Sequence, residues 1–322
     1  MNKIYNPSKG EWPTLLTRPT QTVSDIEAVV NRVFSEIVAE GDRSILKYTL
    51  EFDKVTLDNL IVSALEIEEA GQLVSEELKE AIVLAKINIE SFHRAQQTPS
   101  VQVETTNGVH CWKEKRPIQK VGLYIPGGTA PLFSTILMLA VPANIAGCEE
   151  IVLCSPPNRE GKIDPAILYT ANLCGVTKIF KVGGIQAIAG MTFGTESIPK
   201  VFKIFGPGNQ FVTVAKQLAT KHGVAIDMPA GPSELLVVAD DTANPAFVAS
   251  DLLSQAEHGV DSQVLLVSTS KTLLTKVEDE IEKQLANLPR KDIATKAIDN
   301  SRLIFVEDDK TAVEMINEYG PE

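Results

Sequence analysis

The sequence predicts an α/β fold of two Rossmann-like lobes, with parallel-type sheets flanked by helices and an N-terminal part that is mostly helical. Three observations carry this. From Val121 to about Gly223 a short apolar, strand-like run is repeatedly followed by a helix-like run, the alternation that parallel βαβ units require. The same theme returns from Glu234 onward, whereas before Val121 the apolar residues recur at helical spacing. With 322 residues, 44% of them hydrophobic, the chain can bury a sizeable core and suits about two domains.

The first helix is expected in "SDIEAVVNRVFSEIVAEG", with Ser24 as N-cap and Gly41 as its stop. A second long helix starts at Ser75, in "SEELKEAIVLAKINIESFHRAQQ". "VQVETTNGVHCWKEK" then alternates on either side of Asn107-Gly108, a strong hairpin signal. Four strand-then-helix units follow: "VGLYIPGG" with "LFSTILMLAVPANIAG", "EIVLCSPP" with "DPAILYTANLCG", "KIFKVGG" with "IQAIAGMTFG", and "VFKIFGPGN" with "QFVTVAKQLATKHG". Each strand ends in small or cyclic residues: Gly127-Gly128, Pro156-Pro157, Gly183-Gly184 and Gly206-Pro207-Gly208. In an open α/β sheet these carboxyl ends line the ligand crevice, where small residues let backbone amides approach a phosphate or ring. In the third stretch, "ELLVVADD" leads to a helix opening at Asn244-Pro245 and closing at Gly259. "SQVLLVS", "KTLLTKVEDEIEKQLANL", "RLIFVED" and "KTAVEMINEYG" complete a second Rossmann-like sheet. Residues 1–20 are expected as an arm, 21–120 with 233–322 as a first lobe, and 121–232 as a second lobe inserted into it.

A net charge of −12, with no basic run longer than "KEKR", would repel a phosphate backbone, so nucleic acid is not an expected partner. The start "MNKIYNPSKGEW" has no apolar leader, and no stretch reaches the roughly 20 apolar residues that a bilayer needs. A cytoplasmic protein with no membrane contact is expected. Four cysteines without CxxC spacing point to reduced thiols rather than staples or a metal knuckle.

Among candidate motifs, "GPGNQF" begins like a dinucleotide fingerprint but has Phe211 at its sixth position, and no acidic residue ends a strand about twenty positions later. The helix N-terminus at Asn209 can still hold an anion through its amides; a purely structural turn explains it equally. In "SQAEHG", Gln255 and His258 share a helix face at i, i+3, so an amide oxygen and an imidazole nitrogen could meet one cation. A histidine in a last helical turn also suits the helix dipole without any metal. Cys154 is the one thiol near the ligand face and would serve an aldehyde-oxidising enzyme as nucleophile, though a buried inert cysteine explains it more simply.

The blocks "VGLYIPGGTAPLFSTILMLAVPANIAGC", "GGIQAIAGMTFGTESIPKV", "KIFGPGNQFVTVAK", "DMPAGPSELLVVAD", "DLLSQAEHGVDSQVLLV" and "NEYGPE" occur in this order from Val121 to Glu322. Together they resemble the histidinol dehydrogenase family. The resemblance implies oxidation of L-histidinol to L-histidine through histidinaldehyde, in two NAD-dependent hydride transfers with one zinc per subunit placing the substrate, as the last step of histidine biosynthesis. It implies Gln255 and His258 as zinc ligands that also lie against substrate, Ser233 as a substrate contact, and Tyr124, Gln186 and Asn209 as NAD contacts. It makes Glu322 a catalytic and substrate-binding residue, the glutamate of a Pro-Glu-His motif whose Glu-His pair does the acid-base work.

The chain departs from the family pattern at that point, stopping one residue short of the histidine. The expectation is a fragment lacking the catalytic His, two further zinc ligands and a C-terminal dimerisation segment, inactive alone, from a protein that is homodimeric at full length. Two other classes stand beside the enzyme reading: a non-catalytic small-molecule binding module on the same scaffold, and the Cys154 aldehyde dehydrogenase. Joint occurrence of Ser233, Gln255, His258 and Glu322 favours the histidinol-oxidising enzyme.

Overall fold

Asn2–Tyr5 (β1) forms a strand, where the sequence suggested an arm: it runs parallel to residues 302–305, with Ile4 opposite Ile304. Four half-exposed residues carry no period strong enough to mark a strand, and the partner lies at the far end of the chain. After it, helix α1 (Trp12–Leu15) buries Trp12, with Leu16, in a cluster with Leu265, Val267 and Ile304. The structure is a computed structural model and describes residues 1–19, 23–127, 131–229 and 233–321; Gly128 and Glu322, and the side chain of Ser24, lie outside the described set. The chain divides into two units, Met1–Thr22 with Ala230–Glu322, and Val23–Pro229.

The middle unit opens with α2 (Val23–Glu40), α3 (Asp42–Tyr48), a π-helical turn at Thr49–Asp53, α4 (Ala64–Leu73) and α5 (Glu76–Ala95). Gly41 ends α2 at φ +56°, and Ser75 caps α5 by accepting the Leu78 N–H at 3.3 Å. The hairpin of β2 (Gln102–Thr106) and β3 (Val109–Trp112) turns at Asn107-Gly108. The repeats follow as β4 (Lys120–Tyr124), α6 (Phe133–Ala146), β5 (Glu150–Ser155), α7 (Pro165–Leu173), β6 (Lys178–Lys181), α8 (Gly184–Phe193), β7 (Lys203–Phe205), α9 (Gln210–Thr220) and β8 (Ala225–Ile226). Their sheet is parallel throughout, in the order β6-β5-β4-β7-β8. Counted from β4, that is the doubly wound order 3-2-1-4-5, whose direction reverses between β4 and β7.

The stretch from 23 to 120 belongs with this unit, not with the lobe of 233–322 to which the sequence assigned it. The reason is the composition of the inner helices. Every residue of α8 from Ile185 to Thr192 is buried, and a helix apolar on all sides needs a second covering layer. The stripe Ile26, Val30, Val33, Phe34 and Ile37 of α2 shares one core with Ile188 of α8 and Val212 of α9. On the opposite sheet face, Ile67 of α4 and Ile82 of α5 join Leu137 of α6 and Ile167 of α7.

The other unit resumes with β9 (Glu234–Ala239), α10 (Pro245–Ala256), β10 (Gln263–Ser268), α11 (Lys271–Leu285), α12 (Lys291–Asp299), β11 (Arg302–Phe305) and α13 (Asp309–Tyr319). Its sheet is also parallel, in the order β1-β11-β10-β9. Asn244 caps α10, its Oδ1 accepting the Ala246 N–H at 3.0 Å, with Pro245 at N1. The helix ends at Ala256, short of Gly259, so His258 lies just beyond its last turn. All six residues of β10 are buried, as a central parallel strand covered on both faces must be.

Candidate active site

The candidate residues lie at one end of each sheet, and the ends differ. In the middle unit they sit at the carboxyl ends. Tyr124 closes β4, Gln186 lies in the first turn of α8 beyond β6, and Asn209 caps α9 beyond β7, its Oδ1 accepting the Val212 N–H at 3.1 Å. Tyr124 is buried, and its hydroxyl accepts the Gly184 N–H at 3.1 Å. Burial, with Asp53 nearby, pushes this phenol up to about 12, so it remains a neutral hydrogen-bonding group. Gln186 is fully buried and donates from Nε2 to Asp53 Oδ2 at 3.1 Å. A carboxylate only accepts, so Asp53 fixes the amide with its nitrogen inward. The other end, Oε1, has no hydrogen-bond partner among the described residues. Leaving a buried acceptor unpaired costs roughly 1–3 kcal/mol. Burial raises Asp53 itself to about 6, partly offset by the Gln186 hydrogen bond.

Gly206 lies between Tyr124 and Asn209, at φ +127°, and a Cβ there would fall 2.0 Å from the Tyr124 carbonyl oxygen. Backbone meets backbone at the reversal point of the sheet, and only glycine permits it. Structure therefore brings Tyr124, Gln186 and Asn209 to the carboxyl end of one sheet and adds Asp53, which the sequence did not mark.

In the other unit the candidates cluster at the amino ends. Ser233 immediately precedes β9, and its carbonyl accepts the Gln263 N–H at 3.1 Å. Gln255, partly exposed in the last turn of α10, and His258, exposed just after it, are linked through the backbone: the His258 N–H donates to the Gln255 carbonyl at 3.2 Å. Arg18 holds the Glu234 carboxylate from two nitrogens, stacks over the Tyr319 ring at 4.5 Å and donates to the Tyr319 and Gly320 carbonyls at 2.9 and 3.2 Å. The Tyr319 hydroxyl also meets Gln263 Oε1 at 3.1 Å. This network fixes the exit of α13 two residues before Glu322, which lies outside the described residues. Nothing in the sequence flagged Arg18, whose partner is 216 residues away.

Cys154 is fully buried inside β5, and burial pushes its thiol far above the ordinary range. A nucleophilic thiolate needs the opposite environment, so the thiol-enzyme reading loses its residue. Among the described residues no group of three or more His, Cys, Asp or Glu converges as a metal cluster. Gln255 and His258 supply two donors, short of the three or more protein ligands that a zinc centre takes.

A doubly wound parallel sheet with polar groups and a helix N-terminus at its reversal point defines an α/β protein of the class that takes small ligands at strand carboxyl ends. Comparison with known proteins narrows the class. The family model "Histidinol dehydrogenase" matches residues 16–322, and the chain belongs to the histidinol dehydrogenase family, a family of oxidoreductases. It is 58% identical over 322 residues to histidinol dehydrogenase of Bacteroides thetaiotaomicron, covering 100% of this chain and 75% of that protein. It is 55% identical over 311 residues to the Escherichia coli K12 protein, covering 96% and 71%. The crystal structure of histidinol dehydrogenase from Elizabethkingia anophelis superposes with a TM-score of 0.93 at 54% identity, over 100% of this chain and 74% of that one.

Proposed function

We propose that the protein takes part in NAD-dependent oxidation of L-histidinol to L-histidine through histidinaldehyde, the last step of histidine biosynthesis, in the cytoplasm and as part of a homodimer. The observation that carries the nucleotide half is the gathering of Tyr124, Gln186 and Asn209 around the sheet reversal at Gly206. These residues suit a dinucleotide: Gln186 Oε1 lacks a partner among the described residues, and the α9 N-terminus favours phosphate. When bound, NAD supplies the hydride acceptor. The chain's own residues do the rest. Tyr124 and Gln186 hold polar groups of the nucleotide, and Asn209 aligns the turn that faces it. Ser233, Gln255 and His258 bind and orient the amino alcohol. Glu322, by family resemblance, activates the water that hydrates the aldehyde.

Zinc, implied by the same resemblance, would draw on Gln255 and His258; two donors do not close its site, and no step is routed through it. The chain alone is expected to bind zinc weakly and to turn over little histidinol. Calorimetric titration with NAD+ tests the nucleotide half: Asn209→Ala and Gln186→Ala should each weaken binding at least tenfold. Histidinol-dependent NADH formation, measured in a protein that carries a histidine after Glu322, tests the other half and should be lost in His258→Ala. Unchanged NAD+ affinity in both nucleotide variants would remove these residues from the site.

A further inference from the structure

The turn from Gly206 to Asn209 is held by a pair of charged side chains that the chemistry above does not use. Lys216, in the second turn of α9, is only 4% exposed. Its ammonium turns back toward the start of its own helix and donates to the Gly206 carbonyl at 2.7 Å. Asp227, just past β8, accepts the Gly206 N–H on Oδ2 at 2.8 Å and makes an ion pair with Lys216 through Oδ1. Both backbone polar groups of one residue are thus taken by the two members of one ion pair, forming a closed ring of three residues.

The location is specific. Gly206 is the residue whose backbone abuts the Tyr124 carbonyl at the reversal between β4 and β7, and Asn209, three residues on, caps α9. β8 reaches this point because Ala225 and Ile226 pair with β7, and the Asp227 N–H donates to the Ile204 carbonyl at 3.2 Å. Lys216 itself is no phosphate ligand, since its ammonium is buried, donates to the Gly206 carbonyl and is already neutralised by Asp227. Nor is charge needed to tie α9 to β8, because apolar side chains of similar volume hold such elements at least as well as a buried ion pair. What apolar side chains cannot do is hold a backbone N–H and C=O in one orientation.

We propose that Lys216 and Asp227 are positioning residues that keep the Gly206–Asn209 turn in its nucleotide-binding conformation before the ligand arrives. The inference rests on the nucleotide reading of this site. Ordering costs met in the free protein do not have to be met on binding, so loss of the pair should appear in affinity rather than in the fold.

The test compares the wild-type chain with Lys216→Met/Asp227→Leu, which removes both holds while keeping volume and leaving no buried charge alone. The double variant is expected to stay folded, with a thermal midpoint near that of the wild type, while its NAD+ dissociation constant rises at least tenfold. Amide exchange should accelerate at Gly206 and its neighbours and nowhere else. A folded double variant with wild-type NAD+ affinity overturns the proposal. If that variant does not fold, exchange in the wild-type chain without ligand decides: a slowly exchanging Gly206 amide supports the clamp, and exchange at the rate of an exposed loop refutes it. Asn209→Ala separates the two levels. If it weakens binding and the double variant does not, the clamp alone fails; if the wild-type chain binds no NAD+, the nucleotide reading fails and the clamp's role with it.

Discussion

The two sheets are both parallel, yet their candidate residues sit at opposite ends. In the unit Val23–Pro229 they lie where strands end and helices begin: Tyr124, Gln186 and Asn209 sit among the N-termini of α8 and α9. In the unit containing β9 to β11 they lie where helices end and strands begin: Gln255 is in the last turn of α10, His258 follows that helix, Gly320 follows α13, and Ser233 precedes β9. Helix N-termini present N–H groups and partial positive charge, and helix C-termini present carbonyls and partial negative charge. The first arrangement suits a phosphate-bearing dinucleotide, and the second suits a cationic group such as the ammonium of an amino alcohol or a metal ion. Parallel topology is the same in both sheets; what differs is whether helix N-termini or helix C-termini flank the candidate residues.

The sharpest way to break this comparison is to crowd each end with one methyl group. Gly206→Ala forces a side chain at φ +127° against the Tyr124 carbonyl, which backbone cannot yield cheaply; strain and overpacking together should cost about 3 kcal/mol or more. A Cβ at Gly259 would meet side-chain atoms of Asp261 and Ser262 rather than backbone, the nearest being Asp261 Oδ1 at 2.7 Å, so Gly259→Ala should cost less, within about 1 kcal/mol. Denaturant midpoints of the two variants measure the contrast. Equal losses would mean that backbone packing is no tighter at the reversal point than after α10.

The second unit depends instead on charge. Arg18→Ala removes the bidentate partner of Glu234, whose side chain is only 6% exposed, and the stacking on Tyr319. Because the Arg18 side chain is itself 37% exposed, solvent screens part of the loss, leaving about 2 kcal/mol. Arg18→Lys should recover little, since a point charge replaces a fork. A thermal melt that leaves both variants at the wild-type midpoint would discount the network.

How far the sequence could be read follows from the range of the forces involved. The repeats from Val121, the hairpin at Asn107-Gly108 and the caps at Ser75 and Asn244 are local signals, and the structure has each of them. Gly206-Pro207-Gly208 marked a close backbone approach because glycine at a strand end has a steric meaning by itself, and the structure has that approach at Gly206. β1 was missed because its stability comes from pairing with residues 302–305. Asp53 and Arg18 were missed because each acts on a partner 133 or 216 residues distant. The lobe boundary expected at 120/121 instead falls near residue 23, because it depends on which apolar helices remain uncovered, and α8 shows that only once its neighbours are in place.

The caps give a finer comparison. Asn209 and Asn244 do the same structural work at the starts of α9 and α10, so replacing either by alanine should cost about 1 kcal/mol. Only Asn209→Ala should also weaken NAD+ in a calorimetric titration. A matching loss of affinity in Asn244→Ala would make the effect a general consequence of destabilisation.

A small effect should come from Asp53→Asn, and its sign is fixed by protonation. Burial raises the Asp53 carboxyl from 3.8 to about 6 in the folded chain. The folded state therefore holds this proton more tightly than the unfolded state between those values, and the stability that the residue contributes is complete below the unfolded value and lost as pH rises through about 6. Asparagine carries no such proton, yet its oxygen still accepts from Gln186 Nε2. The variant should match the wild type near pH 4, gain on it up to about pH 6, and keep a constant advantage above, under about 1 kcal/mol because the carboxyl is partly screened by solvent. Thermal midpoints across that range measure it. A variant less stable than the wild type at pH 7 would mean that the charged carboxylate, rather than an uncharged oxygen, is what Gln186 needs, and would tie its orientation to the ionisation of Asp53.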